Sequence, residues 1–169
     1  MATTFHMIKK IEIERFSLTS SKPFDQVLAA VDAGVGHPDM AEFANSSSQA
    51  RSLAEFKVAV ERGLSDIGLM LFMKLDHGAV VRKGTGRDTP RIVRFIIGNP
   101  LIMTEMAKHV PDAGSYAPVT VLVDERADGV HLSYDRMASF LASYQNSAAM
   151  EVACDLDKKV EDLLRQAAA

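Results

Sequence analysis

The sequence predicts an α+β fold: an antiparallel or mixed sheet of about five strands covered by helices, in the order β-α-α-β-β-α-β-β-α-α. Five short runs rich in branched and aromatic side chains read as strands, and the segments between them repeat apolar residues at helical spacing. The chain has 169 residues, 47% of them hydrophobic, which is enough to close the core of a single domain without disulfides or metal and too apolar for a disordered tail.

The first strand is read at Ile8–Phe16, where charged residues interleave with isoleucines and leave one face wet. Ser20-Ser21-Lys22-Pro23 opens a helix, with proline where its missing N–H does no harm. Phe24, Val27, Leu28 and Val31 share one face of that helix, and Gly34, Gly36 and Pro38 end it. Ala44–Ala50, polar and small, reads as a linker between two helices. Ser52 and Glu55 form a capping box ahead of the apolar stripe Leu53, Phe56, Val60 and Leu64. Ile67–Asp76 is nearly continuous apolar and reads as a central strand covered on both faces. A turn-rich basic segment from Arg82 to Pro90 separates it from the strand Arg91–Ile97.

Asn99 caps and Pro100 starts the next helix, whose buried side is Ile102, Met103, Met106, Ala107 and Val110. Pro111–Ala117 reads as loop, Pro118–Glu125 as strand, Ala127-Asp128-Gly129 as a tight turn and Val130–Tyr134 as the partner strand. A short helix covers Met137–Leu141. The last helix runs from Ala148 to Gln166 with Ala149, Val152, Ala153, Leu156, Val160, Leu163 and Leu164 inward.

Lysine and arginine number 19 against 22 aspartates and glutamates, a net charge of −3, so bulk electrostatics draws the chain towards neither nucleic acid nor anionic membrane. No basic stripe is interleaved with aromatics, and no apolar run approaches the roughly 18 residues of a membrane helix. Met1–Lys10 has neither the apolar core nor the small-residue cleavage site of a secretion leader. The single cysteine, Cys154, stands among Glu151, Asp155 and Asp157 and forms no internal disulfide. From these features the cytoplasm is the expected compartment. His6, His37, His77, His109 and His131 include no pair at ligand spacing, so neither a metal nor another cofactor is expected. There is no glycine-x-serine-x-glycine elbow, and Gly84-Thr85-Gly86 lacks the later glycine and lysine of a phosphate loop.

If 67–76 and 91–97 form a hairpin, His77 and Arg91 lie at one end of the sheet and Gly98-Asn99-Pro100 at the other. A helix climbing back from Pro100, followed by a β-α-β crossover, would bring His109 to the His77 end, and the next hairpin would deliver Tyr134 and Asp135 there. Asp76, His77, Arg91, His109, Tyr116, Tyr134 and Asp135 are then expected to converge, leaving Asn99 apart. Imidazole as a side chain can give and take a proton near neutrality, which makes His77 the candidate general base, oriented by Asp76 or Asp135. Against that stands the ordinary reading of a histidine between a strand end and a turn glycine. Asn99 is a helix start that can meet an anion, although capping alone explains it.

Ile97-Gly98-Asn99-Pro100 with its helix, Ala117-Pro118-Val119 and Tyr134-Asp135 together resemble the bacterial domain-of-unknown-function family 302. Leu69-Met70-Leu71-Phe72 with Leu75-Asp76-His77-Gly78 is similar to a subgroup of it, and the resemblance spans about residues 50–140. It implies a compact α+β fold of the TATA-binding-protein-like kind, often dimeric, and no activity.

The leading functional reading is a soluble cytoplasmic homodimer that binds a small anionic or amphipathic molecule between sheet and helices. Arg91, Tyr116, Tyr134, His109 and Asn99 are the candidate ligand contacts, with Met70, Phe72 and Met106 as an apolar wall. The alternatives are a small enzyme with His77, Asp76 and Asp135 as its catalytic groups, and an interaction module without a pocket.

Overall fold

The computed structural model describes residues 7–88 and 90–169; the readings of residues 1–6, His6 among them, and of Thr89 lie outside these. In chain order the elements are β1 (Arg15–Ser20), α1 (Phe24–Ala33), α2 (Met40–Gln49), α3 (Leu53–Glu61), β2 (Met70–Asp76), α4 (His77–Thr85) and β3 (Ile92–Gly98). There follow α5 (Pro100–Ala107), α6 (Ala113–Tyr116), β4 (Val119–Arg126), β5 (Gly129–Asp135), α7 (Met137–Leu141), a 3-10 turn (Ala142–Tyr144) and α8 (Ser147–Ala168). The five strands make one antiparallel sheet in the order β1-β5-β4-β3-β2. The α+β expectation holds.

The two-residue strand period decides where the core sits. Val93, Phe95 and Ile97 of β3, Val119, Val121 and Val123 of β4, and Val130, Leu132 and Tyr134 of β5 are all buried, on the face that α1 and α8 cover. The alternate residues, Ile92, Arg94 and Ile96 among them, stay partly exposed on the opposite face. α8 supplies the broadest helical contribution: Ala149, Ala153, Leu156, Val160, Leu163 and Leu164 are buried as expected, joined by Asp157 and Ala167. Half-buried Val152 sits at the margin of that stripe.

Several expectations need correction. Ile8–Glu14 has no regular structure, with Met7 88% and Ile8 81% exposed, and the first strand starts only at Arg15, where β5 offers a full ladder. The Ala44–Ala50 linker is the second half of α2. Asp39 caps this helix by accepting the N–H groups of Ala41 and Glu42, and Phe43 meets Phe72 edge-on with ring centroids 6.5 Å apart. β2 is an edge strand rather than a central one, because β4 and not β2 takes the middle of the sheet. Its apolar run reflects the loop before it, where Leu69 is buried, and a bulge within it. The turn-rich basic segment begins inside α4, a helix capped by the Asp76 carboxylate on the Ala79 N–H and ended by Gly86 at φ 66.

The β-α-β crossover is also absent. β4 lies antiparallel to β3, with Ile97 opposite Val119 and Ile92 opposite Asp124. The physical reason is reach. Eight-residue α5 rises only about 12 Å, and α6 folds back against it, so the chain re-enters the sheet where it left.

Candidate functional site

Antiparallel β4 reverses everything that follows. β5 runs towards the Gly98 end, so Tyr134 lies opposite Val121 and Phe16, and Asp135 lies opposite Arg15. His77 continues β2 past Asp76, which pairs with Val93. The expected cluster therefore divides.

At the His77 end, the Asp76 carboxylate is engaged by the Ala79 N–H at 2.8 Å and by Arg82 at 3.3 Å. His77 is exposed, and among the described residues nothing hydrogen-bonds its imidazole. Arg91 donates two bonds to Glu125, at 2.9 and 3.1 Å, and pairs with Asp25 at 3.0 Å while lying over the Phe24 ring. That bonding holds the Glu125 carboxyl below the usual carboxylate range. Arg91 is thus already neutralised by its own chain. His109 is exposed just beyond α5. Tyr116 stacks on Phe140 with centroids 4.7 Å apart and shares a 3.0 Å hydroxyl contact with Tyr144.

Tyr134 is buried beneath α8, where its hydroxyl donates to Asp157 at 2.6 Å. Asp157, 1% exposed, also accepts the N–H groups of Met137 at 2.7 Å and Ala138 at 3.0 Å. The carboxylate thereby satisfies the free N-terminus of α7, a role that α7 has no side chain of its own to fill. Burial, followed by the Asp157 charge, pushes the Tyr134 hydroxyl up. Asp135 pairs instead with Arg15 at the surface. Sequence reading missed Asp157. The available signal was a carboxylate at an inward position of the α8 stripe, between Leu156 and Val160.

Asn99, expected to stand apart, borders an apolar pocket. Its Oδ1 accepts the Leu101 N–H at 2.8 Å and its Nδ2 donates to the Gly68 carbonyl at 2.9 Å, tying α5 to the approach of β2. Beside it lies a pocket of about 180 Å³, bounded by Phe72, Pro100, Met103, Met106, Pro118 and Leu156, with Gly98, Ala117 and Val119 completing the wall. Two of the three expected wall residues, Phe72 and Met106, are in place; Met70 is fully buried.

Phe72 reaches the pocket through a β-bulge. Leu71 pairs with Ile97 and Met73 with Ile96, so Phe72 is the extra residue of β2. A bulge turns a side chain out of the strand alternation. Gly98 opens the opposite side: a Cβ there would lie 3.4 Å from Pro118 and 3.6 Å from the Phe72 ring. The lining is apolar, and its one amide has both ends hydrogen-bonded within the chain. Among the described residues no group of three or more His, Cys, Asp or Glu is arranged to hold a metal ion. No described helix is long and apolar enough to cross a membrane.

The family model described as "Domain of unknown function DUF302" matches residues 44–167. No curated protein matches the chain. A solved structure described as the crystal structure of an uncharacterized conserved protein DUF302 from Bacillus stearothermophilus is similar in fold. The TM-score is 0.63 at 10% sequence identity, covering 90% of this chain and 97% of that one.

Proposed function

Since the chain belongs to the DUF302 family, whose description assigns no activity, we propose its function from the pocket itself: it binds a small amphipathic molecule whose neutral apolar part enters beside Asn99 and Pro100. The observation that carries this reading is the apolar 180 Å³ pocket with its single, internally satisfied polar side chain. Engineered dry cavities of about 150 Å³ take up benzene, so the space suits a ring or a short alkyl chain of similar size. A charge has no partner there. The anionic half of the sequence reading loses its support at this site, because Arg91 is committed to Glu125 and Asp25. The enzyme alternative likewise lacks an oriented base at His77.

The test uses 1-octanol, titrated into the protein and followed by amide chemical shifts. Binding should move the resonances of Phe72, Asn99 and Leu101. Gly98→Ala should keep the fold, since its methyl finds ordinary van der Waals contact, and should weaken binding at least about fivefold by narrowing the mouth. Shifts spread evenly over the surface, or an unaffected affinity in Gly98→Ala, reject the reading.

A second element of the proposal is a homodimer formed through β1, in the cytoplasm where exposed Cys154 stays reduced. The two sheet edges support this by their difference. The outer edge of β2 is blunted: Gly36 bridges to it, with Gly36 N–H on Leu69 O at 2.9 Å and Leu71 N–H on Gly36 O at 2.8 Å, and the Phe72 bulge breaks its line. β1 is six regular residues without proline or bulge, and among the described residues nothing pairs with its outer edge. An antiparallel β1–β1 contact is self-complementary under a two-fold axis. Light scattering should then give twice the monomer mass, and placing lysines at Ser17 and Thr19 should return it to monomer. A wild-type monomer at all concentrations disposes of the dimer.

A further inference from the structure

On the sheet face away from α1 and α8, one cation has no acid partner among the described residues. Arg94 lies there between Leu75 of β2 and Leu122 of β4, with Ile92 and Ile96 before and after it on the same strand. Its only described side-chain hydrogen bond runs from Nη2 to the Thr120 hydroxyl at 2.9 Å, and its Nε is buried with no partner. The other charges on this face are spoken for: Asp124 holds Arg126 at 2.5 Å, and Asp135 holds Arg15 at 2.6 Å. Two carboxylates therefore stand against three guanidiniums. A buried donor on a charged group without an acceptor is costly, and native structures rarely leave one unexplained.

We infer that Arg94 is the anchor of a second binding site, specific for an amphipathic anion: a carboxylate or phosphate head on an apolar chain. With Nη2 on Thr120 and Nε enclosed, the guanidinium keeps Nη1 to donate a charge-assisted hydrogen bond to either head. The surroundings match the rest of such a molecule, because Leu75, Ile96 and Leu122 flank the cation and Met73, 51% exposed, extends the apolar strip to the edge of β2. Next to Thr120 a hollow of about 130 Å³ opens between Arg15, Leu122, Ser133 and Asp135. A second copy of the chain is the poorer occupant. Packed face to face across a two-fold axis, this surface offers no spare acid and sets Arg94 near its own image.

The site is independent of the pocket beside Asn99, and a matched pair of probes separates them. Octanoate and octyl phosphate are titrated at low salt, with 1-octanol as the neutral control, and binding is followed by amide chemical shifts. Octanoate should shift Arg94, Leu75, Thr120 and Leu122, and 1-octanol should not. Arg94→Met keeps the apolar stem and removes the charge; it should weaken octanoate binding at least tenfold, leave 1-octanol affinity unchanged, and leave the melting temperature equal or higher. Arg94→Lys should fall between the two. A preference for octyl phosphate over octanoate assigns the head as phosphate, and the reverse assigns it as carboxylate. If octanoate binds Arg94→Met as well as wild type, shifts the Phe72 and Asn99 resonances instead, or does not bind, the inference is wrong. Should Arg94→Met fail to fold, Arg94→Gln takes its place with the same expected loss.

Discussion

Replacing Asp157 by alanine should cost about 3–5 kcal/mol of stability, because the change removes the acceptor shared by two buried donors and one part-buried donor. The Met137 and Ala138 N–H groups and the Tyr134 hydroxyl all end on this carboxylate. Each orphaned buried donor costs about 1–3 kcal/mol, and a small domain has only about 5–15 kcal/mol in total. Thermal melting should fall by about 10 °C or more. A fall of under about 2 °C would show that α7 finds another cap.

Asp157→Asn carries a second readout, in pH. Burial holds the Asp157 carboxyl above its ordinary value of 3.8, against the opposing pull of the Tyr134, Ala138 and Met137 hydrogen bonds and of Arg136. Over the interval between 3.8 and that raised value, the folded state keeps a proton that the unfolded state has lost. This group therefore contributes stability at low pH that disappears as pH rises through its folded value. The margin of wild type over Asp157→Asn should widen as pH is lowered from neutral. A margin that narrows instead means that the three donors outweigh burial.

Gly36→Ala should be the most damaging single methyl in the chain. An added Cβ would lie 2.0 Å from the Gly63 carbonyl oxygen and 2.8 Å from Leu64 C and Ser65 N, all backbone atoms. They cannot retreat cheaply. Gly63 N–H is bonded to Val60 O and Ser65 N–H to Leu69 O, while Gly36 itself bridges Leu69 and Leu71. Overpacking against side chains costs about 1–3 kcal/mol, and against fixed backbone the loss should exceed about 3 kcal/mol. Gly84→Ala is the control: it lies within α4 with open space around it, and should stabilise by about 0.5–1 kcal/mol. Chemical denaturation of both variants decides the matter, and a Gly36→Ala midpoint equal to wild type refutes the clash.

The α+β class, the helix after Asn99, the β4–β5 hairpin and the inward stripe of α8 were all legible, because each is written locally as a period, a cap or a turn. The errors lie where distant residues decide. Asn45-Ser46-Ser47-Ser48 has loop composition, yet Asp39 starts a helix through it and Phe43 is held by Phe72 from another element. The crossover failed for a similar reason: nothing near Pro111 records that α6 folds the chain back. That one reversal sent Tyr134 and Asp135 away from His77. Asn99 was recognised as a cap, but the pocket beside it needs Phe72, Pro118 and Leu156, which only the fold assembles.

The position of α8 has a consequence for biosynthesis. This helix packs on β1, β5, α1, α5 and α7, and its Ala168 carbonyl accepts the Ser20 hydroxyl at 2.8 Å, joining strand one to the final turn. All five strands leave the ribosome before it does. Until residues 147–168 emerge, α1 alone lies on the buried face of the nascent sheet and Tyr134 is without its cover, and this interval is the one in which a chaperone would find it.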